Sequence, residues 1–141
     1  MGHLLDTNVL SEMLRLRPAA AVGQWFTRQP GDTLFVSVVT QAEMMLGARL
    51  LPAGRRRAAL EATLEAMFTE EFASRVLPFA PQAVPAYTDI VARRRAAGRP
   101  IAQFDAQIAA TARSAGLRLA TRNIRDFELC GVDVINPWDP T

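Results

Sequence analysis

The chain has 141 residues, half of them hydrophobic and 21% charged, with a formal net charge of +2 at pH 7. That length suits one domain with its own buried core, expected over residues 1–141, and the composition excludes intrinsic disorder. A lone Cys130 excludes an internal disulfide framework or a multi-cysteine zinc site, the apolar runs are too short to span a bilayer, and no secretory leader opens the chain, so the expected compartment is the cytoplasm.

In chain order, His3–Leu5 is a short apolar run that ends in Asp6. Thr7–Asn8 can cap a helix running to about Leu16, and Pro18 opens a second helix carrying Val22, Trp25 and Phe26 at near-helical spacing. After the Pro30–Gly31–Asp32 turn, the β-branched and aromatic run Thr33–Val39 predicts a buried strand. Thr40 then caps a helix over Gln41–Leu51 that holds Glu43, and Pro52–Gly54 breaks it. A longer helix is expected from Arg55 to Phe72, a strand at Val76–Phe79, and a helix over Gln82–Ala97 stopped by Gly98–Pro100. Ile101–Ala115 reads as a helix with Asp105 near its start. Then come a strand at Leu117–Thr121, a short helix at Asn123–Leu129 and a last strand at Val132–Ile135.

Strands that alternate with helices argue for an α/β fold, a three-layer α/β/α sandwich with a mainly parallel central sheet of about five strands. In such sheets ligands sit at the carboxyl ends of the strands. Asp6, Glu43, Asp105 and the run Thr121–Arg122–Asn123 all fall at that one predicted rim.

Residue counts narrow the chemistry. All 16 basic residues are arginine, which removes a phosphate-loop lysine and a Schiff-base lysine. One histidine, His3, rules out two-histidine acid–base catalysis within one chain and reads as a strand-edge residue. Each of Asp6, Glu43 and Asp105 has apolar neighbours. The plainer readings are a helix cap for Asp6, a Thr40–Glu43 capping box, and a favourable N-terminal charge for Asp105. If instead they converge, two carboxylates about 4 Å apart repel by roughly 4 kcal/mol at an effective dielectric near 20. An arginine, a shared proton or a hard cation must then offset the repulsion, and oxygen ligands favour Mg²⁺ or Mn²⁺ over zinc.

The run Leu4–Leu5–Asp6–Thr7–Asn8–Val9–Leu10–Ser11–Glu12 resembles the opening of PIN-domain toxins of the VapC family. The likeness continues through Val36–Ser37, Thr40–Glu43, Leu46–Gly47, Pro100–Ile101, Asp105–Ala110, Ala120–Asn123 and Asp126–Phe127. Val134–Ile135–Asn136–Pro137–Trp138 is similar to the FitB-like branch. The resemblance implies a PIN-like nuclease with Asp6, Glu43 and Asp105 as catalytic acids and metal ligands. Where the family often carries a fourth acid this chain has Asn123, which can offer a carbonyl oxygen but no charge. Asp126, three residues on, either substitutes for that acid or caps the short helix, so one metal or two remain open.

The implied activity is Mg²⁺-dependent cleavage of RNA, with tRNA or rRNA as typical targets, by activated water that leaves a 5′-phosphate and a 3′-hydroxyl. Candidate phosphate contacts are Arg122, Arg15, Thr7, Asn8 and Thr121. Arg55–Arg57 and Arg93–Arg95 with Arg99 either track a phosphate backbone or form solvated helix faces. Trp25, Tyr87 and Trp138 read as core or interface residues, and Glu12 as an outer support of the acids or an arginine partner. The resemblance also implies a VapB-like DNA-binding antitoxin, a homodimer or larger toxin–antitoxin assembly, and no membrane partner. Two rivals stand beside this reading. One is an inactive PIN-like module that binds RNA or protein, which Asn123 favours. The other is a phosphoryl-transfer enzyme with Asp6 as nucleophile, which the missing lysine and Asn8 disfavour.

Overall fold

The computed structural model describes residues 2–139. Its strands are β1 (His3–Leu5), β2 (Leu34–Ser37), β3 (Val76–Leu77), β4 (Arg118–Ala120) and β5 (Val134–Ile135). They form one sheet in the order β3-β2-β1-β4-β5, and each pairing is parallel. The helices are α1 (Thr7–Met13), α2 (Ala20–Arg28), α3 (Val38–Arg49), α4 (Arg55–Ala66), α5 (Val84–Ala96) and α6 (Gln103–Ser114).

Strand alternation divides the core into two layers. Leu4 and Leu119 point to one side, where Ile90 of α5 and Ile108, Ala109 and Ala112 of α6 cover them. Leu5, Val36 and Ala120 point to the other, against Val9 and Leu10 of α1, Val22 of α2 and Leu64 of α4. Both faces of the sheet are therefore dry, which explains why its strands read as continuous apolar runs. The expected three-layer α/β/α arrangement is present. On α6, alanines at 106, 109, 110 and 112 are all fully buried. Alanine keeps helix propensity high while its small side chain lets the helix pack close to the sheet.

The element boundaries show where local rules were overridden. Asp6, not Thr7–Asn8, caps α1: its carboxylate accepts from the Thr7 backbone N–H. Ser37, not Thr40, caps α3 by accepting from Val39 N–H at 3.0 Å, so β2 ends at Ser37 and the helix begins at Val38. Thr40 is fully buried inside that helix, and the Thr40–Glu43 capping box does not form. The long helix expected to reach Phe72 ends as an α-helix at Ala66 and finishes with a π-helical turn over Met67–Glu71. The short helix after β4 is a 3₁₀ turn, Ile124–Phe127. Gly98 and Gly116 end α5 and α6 with φ of 70° and 69°, conformations that cost glycine little.

His3 corrects the strand-edge reading. It lies on the central strand β1, is 4% exposed, and meets Trp25 edge-on at 5.1 Å. Neither ring nitrogen has a hydrogen-bond partner among the described residues. Burial, helped by the charge of Arg118, lowers its pKa from the ordinary 6.5. The folded state therefore disfavours the proton that the unfolded chain takes up, and this part of the stability is lost as pH falls through 6.5. Relative to wild type, His3→Phe is expected to gain stability as pH drops from neutral to about 5. Urea midpoints of both proteins across that interval check the sign.

Candidate active site

The parallel sheet places the carboxyl ends of its five strands on one edge. The strand order reverses between β1 and β4, because β1 leads on to β2 on one side and β4 lies on the other. A crevice opens at such a switch point, outside the carboxyl ends of the strands. Asp6 follows β1 directly there. Thr121–Asn123 follow β4, and α3, entered from β2, brings Glu43. Because α6 leads down to the start of β4, its own first turn lies back at this edge and carries Asp105.

A depression of about 580 Å³ occupies the crevice, lined by Asp6, Glu43 and Asp105 together with Asn8, Arg122 and Trp138 among others. Asp6 is 6% exposed and is held by neutral donors. One carboxylate oxygen, Oδ1, accepts from Thr7 N–H at 2.8 Å. The other, Oδ2, accepts from Thr121 Oγ1 at 2.7 Å and from Asn8 Nδ2 at 3.3 Å. Thr7 Oγ1 reaches the other way, to Glu43 Oε1 at 3.4 Å and Thr40 Oγ1 at 3.2 Å. A chain of hydroxyls and one amide thus joins the ends of β1 and β4 to helix α3. Asp105, half-buried, makes no hydrogen bond or ion pair among the described residues.

The electrostatics record the convergence. Burial raises the pKa of Asp6, against the opposing hydrogen bonds from Thr121 and Thr7. Burial also raises Glu43, against the Thr7 hydrogen bond and with a contribution from the charge of Asp6. Asp105 is pushed up to about 6 by burial first and then by the charges of Asp6, Asp126 and Glu43. None of the three acids belongs to an ion pair among the described residues. The nearest buried cation, Arg94, lowers Asp105 only partly. Its guanidinium is spent on the backbone carbonyls of Arg99, Asp126 and Glu128 at 2.7–2.9 Å.

The donor set is oxygen only, charged and under-neutralised, which suits a hard divalent cation. Among the described residues no three acidic, histidine or cysteine side chains stand close enough to enclose one ion alone. Mg²⁺ does not ask for such a cage, since it keeps several waters and takes one or two carboxylates plus substrate oxygens.

The remaining sequence-predicted residues take distinct places. Asn123 lines the depression, and its N–H donates to Thr121 Oγ1 at 3.1 Å. Asp126 is exposed on the 3₁₀ turn and acts on Asp6 and Asp105 through its charge. Thr121 is fully buried and touches Asp6 rather than the open space. The Asn8 amide holds Asp6 and Thr121 on its nitrogen side, and on its oxygen side accepts from Arg122 N–H at 3.2 Å. Arg15 lines the depression but is ion-paired with Glu12 at 3.4 Å. Glu12 in turn accepts from Ala19 N–H at 2.9 Å, which settles it as a staple of the α1–α2 turn.

The arginine clusters come apart. Arg57 pairs with Glu61, Arg93 with Asp89 and Arg99 with Glu128, while Arg94 is buried. Sequence reasoning missed Trp138 as a wall of the depression. The signal was available: it lies three residues past β5, at the same carboxyl edge as the acids.

A family profile described as PIN domain matches residues 3–130. The chain belongs to the PIN-domain family. Within it the relatives are of the VapC type, on the FitB-like side. The VapC ribonuclease Y4jK of Sinorhizobium fredii is 42% identical, with 97% of this chain and 98% of that protein covered. Toxin FitB of Neisseria gonorrhoeae is 38% identical, with 96% and 97% covered. A solved structure of FitAB bound to a DNA fragment superposes with a TM-score of 0.91 at 37% identity, covering 97% of this chain and 96% of that one. This PIN domain carries its acids at the switch-point crevice, and among the described residues no helix is long and apolar enough to cross a membrane.

The raised Asp105 pKa has a stability consequence. In metal-free protein, folding disfavours the Asp105 carboxylate, so the penalty is full above about 6 and vanishes as pH falls to the unfolded value of 3.8. Asp105→Asn is therefore expected to melt at a higher temperature than wild type at pH 8 in EDTA, and at the same temperature below pH 4. Thermal unfolding at the two pH values measures it.

Proposed function

We propose that this chain is the toxin of a toxin–antitoxin pair and a Mg²⁺-dependent endoribonuclease, acting as one domain in the cytoplasm. The observation that carries the reading is the set of three unneutralised acids gathered at the crevice of a PIN fold. Asp6, Glu43 and Asp105 would hold the cation, with Asn123 as a neutral oxygen donor and Asp126 as a nearby charge. Mn²⁺ fits the same oxygen donors. When bound, such a cation supplies Lewis acidity: it neutralises charge at phosphorus and lowers the pKa of water.

The chain's own residues perform the rest. Thr121, Asn8 and the Thr7 N–H aim Asp6, and the bonds from Thr121 and Thr7 oppose the burial that raises its pKa. Thr7 does the same for Glu43. A carboxylate of this set takes the proton released as water attacks phosphorus. The bond to the 3′-oxygen breaks and that oxygen takes a proton from solvent water, leaving a 3′-hydroxyl on one fragment and a 5′-phosphate on the other. Arg122, exposed and without an ion-pair partner among the described residues, meets a phosphate of the substrate backbone.

The named relatives support the biological setting: one is a VapC ribonuclease, one is a toxin, and FitAB is seen with DNA. A DNA-binding antitoxin of the VapB kind and a homodimer or larger assembly follow as the proposed partners, with tRNA or rRNA as the RNA class. Asn123 in place of a fourth acid is the feature that favours an inactive binding module, and one experiment separates the two. Inducing wild type in a bacterial host is expected to arrest growth and yield RNA fragments with 5′-phosphates. Asp6→Asn is expected to lower cleavage by more than about 100-fold and relieve the arrest. Equal arrest from both proteins, or a 2′,3′-cyclic phosphate on fresh products, would overturn the hydrolytic reading.

A further inference from the structure

The walls of the acidic depression contain two arginines of opposite status. Arg15 is tied to Glu12. Arg122 has no carboxylate and no side-chain hydrogen bond among the described residues; its guanidinium carbon instead lies 5.0 Å from the centroid of the Trp138 ring. Trp138 is itself fixed. Its backbone N–H donates to Asn136 Oδ1 at 2.9 Å, the preceding Pro137 is buried, and the indole packs against the core layer below β1. On the other side, Arg122 N–H is held by Asn8, whose amide also holds Asp6. The residue is thus held by its backbone at one end and by a ring face at the other, with its guanidinium N–H edge unspent in the depression that the three acids also line.

Without the ring, electrostatics would draw Arg122 toward the acids, where it would occupy the place of a cation. A cation–π contact uses the guanidinium face and leaves its in-plane donors available for a phosphate oxygen. Trp138 also lies beyond residue 130, where the match to the family profile ends. We propose that Trp138 is a positioning residue: its indole holds Arg122 away from the acids as a clamp for an RNA phosphate next to the one cleaved. This deepens the ribonuclease reading and rests on it for the identity of the ligand.

The test measures binding apart from cleavage. All variants are made in an Asp105→Asn background so that a fluorescein-labelled single-stranded RNA of mixed sequence stays intact, and anisotropy is followed across a salt series in Mg²⁺ buffer. Arg122→Ala is expected to weaken binding about tenfold and to reduce the slope of log K against log salt by ~0.7, the value for one phosphate contact on a single strand. Trp138→Ala is expected to weaken binding about fivefold, Trp138→Phe to restore it to within about twofold, and Trp138→Ala to add nothing once Arg122 is alanine. Trp138→Leu, which keeps bulk but no ring face, replaces the alanine variant if that one loses its near-ultraviolet circular dichroism. It should behave as the alanine does.

An equal loss from the Trp138 variant with and without Arg122 would overturn the clamp, as would an unchanged salt slope in Arg122→Ala or no RNA binding at all. RNA binding that follows this pattern while wild type cleaves nothing would sink the ribonuclease reading and leave the clamp standing.

Discussion

Like charges gathered without a counter-ion are the constraint on which the rest of this molecule turns. Asp6, Glu43 and Asp105 face one depression, and no guanidinium neutralises any of them among the described residues. Their repulsion opposes folding, and the fold resists it with neutral dipoles and topology. The Thr121 hydroxyl at 2.7 Å is the strongest of these devices, because it joins the ends of two adjacent strands at the point where the sheet order reverses. A hydroxyl stabilises the ionised carboxylate without cancelling its charge, and so leaves that charge for the proposed cation.

The same logic governs the arginines. With 16 of them and no lysine, the chain has ample means to silence the acids. Yet Arg94, the buried one, is turned onto backbone carbonyls, Arg15 is held by Glu12, and Arg122 lies over a ring. Arg94 does a second job there. By gripping the carbonyls of Asp126 and Glu128 it fastens the 3₁₀ turn that carries Asn123 and Asp126 to the end of α5.

Much of this was legible beforehand, and for a physical reason. Apolar runs such as His3–Leu5 followed at once by an acid announce a buried parallel strand with a polar exit, and all parallel strands exit on one edge. The acids could therefore be grouped without knowing a single contact. Capping was harder. Ser37 and Thr40 are both competent caps, and only the burial of Thr40 beneath the site decides between them. The arginine triplets do not act as units because sequence adjacency on a helix scatters side chains around it: Arg55, Arg56 and Arg95 are exposed, as a solvated face requires. Arg93 reaches Asp89 while Arg94 points inward. Trp138 read as core because packing dominates the use of tryptophan; its second role depends on where β5 ends, which a two-residue strand hardly advertises.

The proposed cation site is tested most directly by calorimetric titration of Mg²⁺ into the protein at pH 8, beside a variant carrying Asp6→Asn, Glu43→Gln and Asp105→Asn together. Saturable binding by wild type and none by the variant is the predicted result. Indistinguishable heats from the two folded proteins would contradict it.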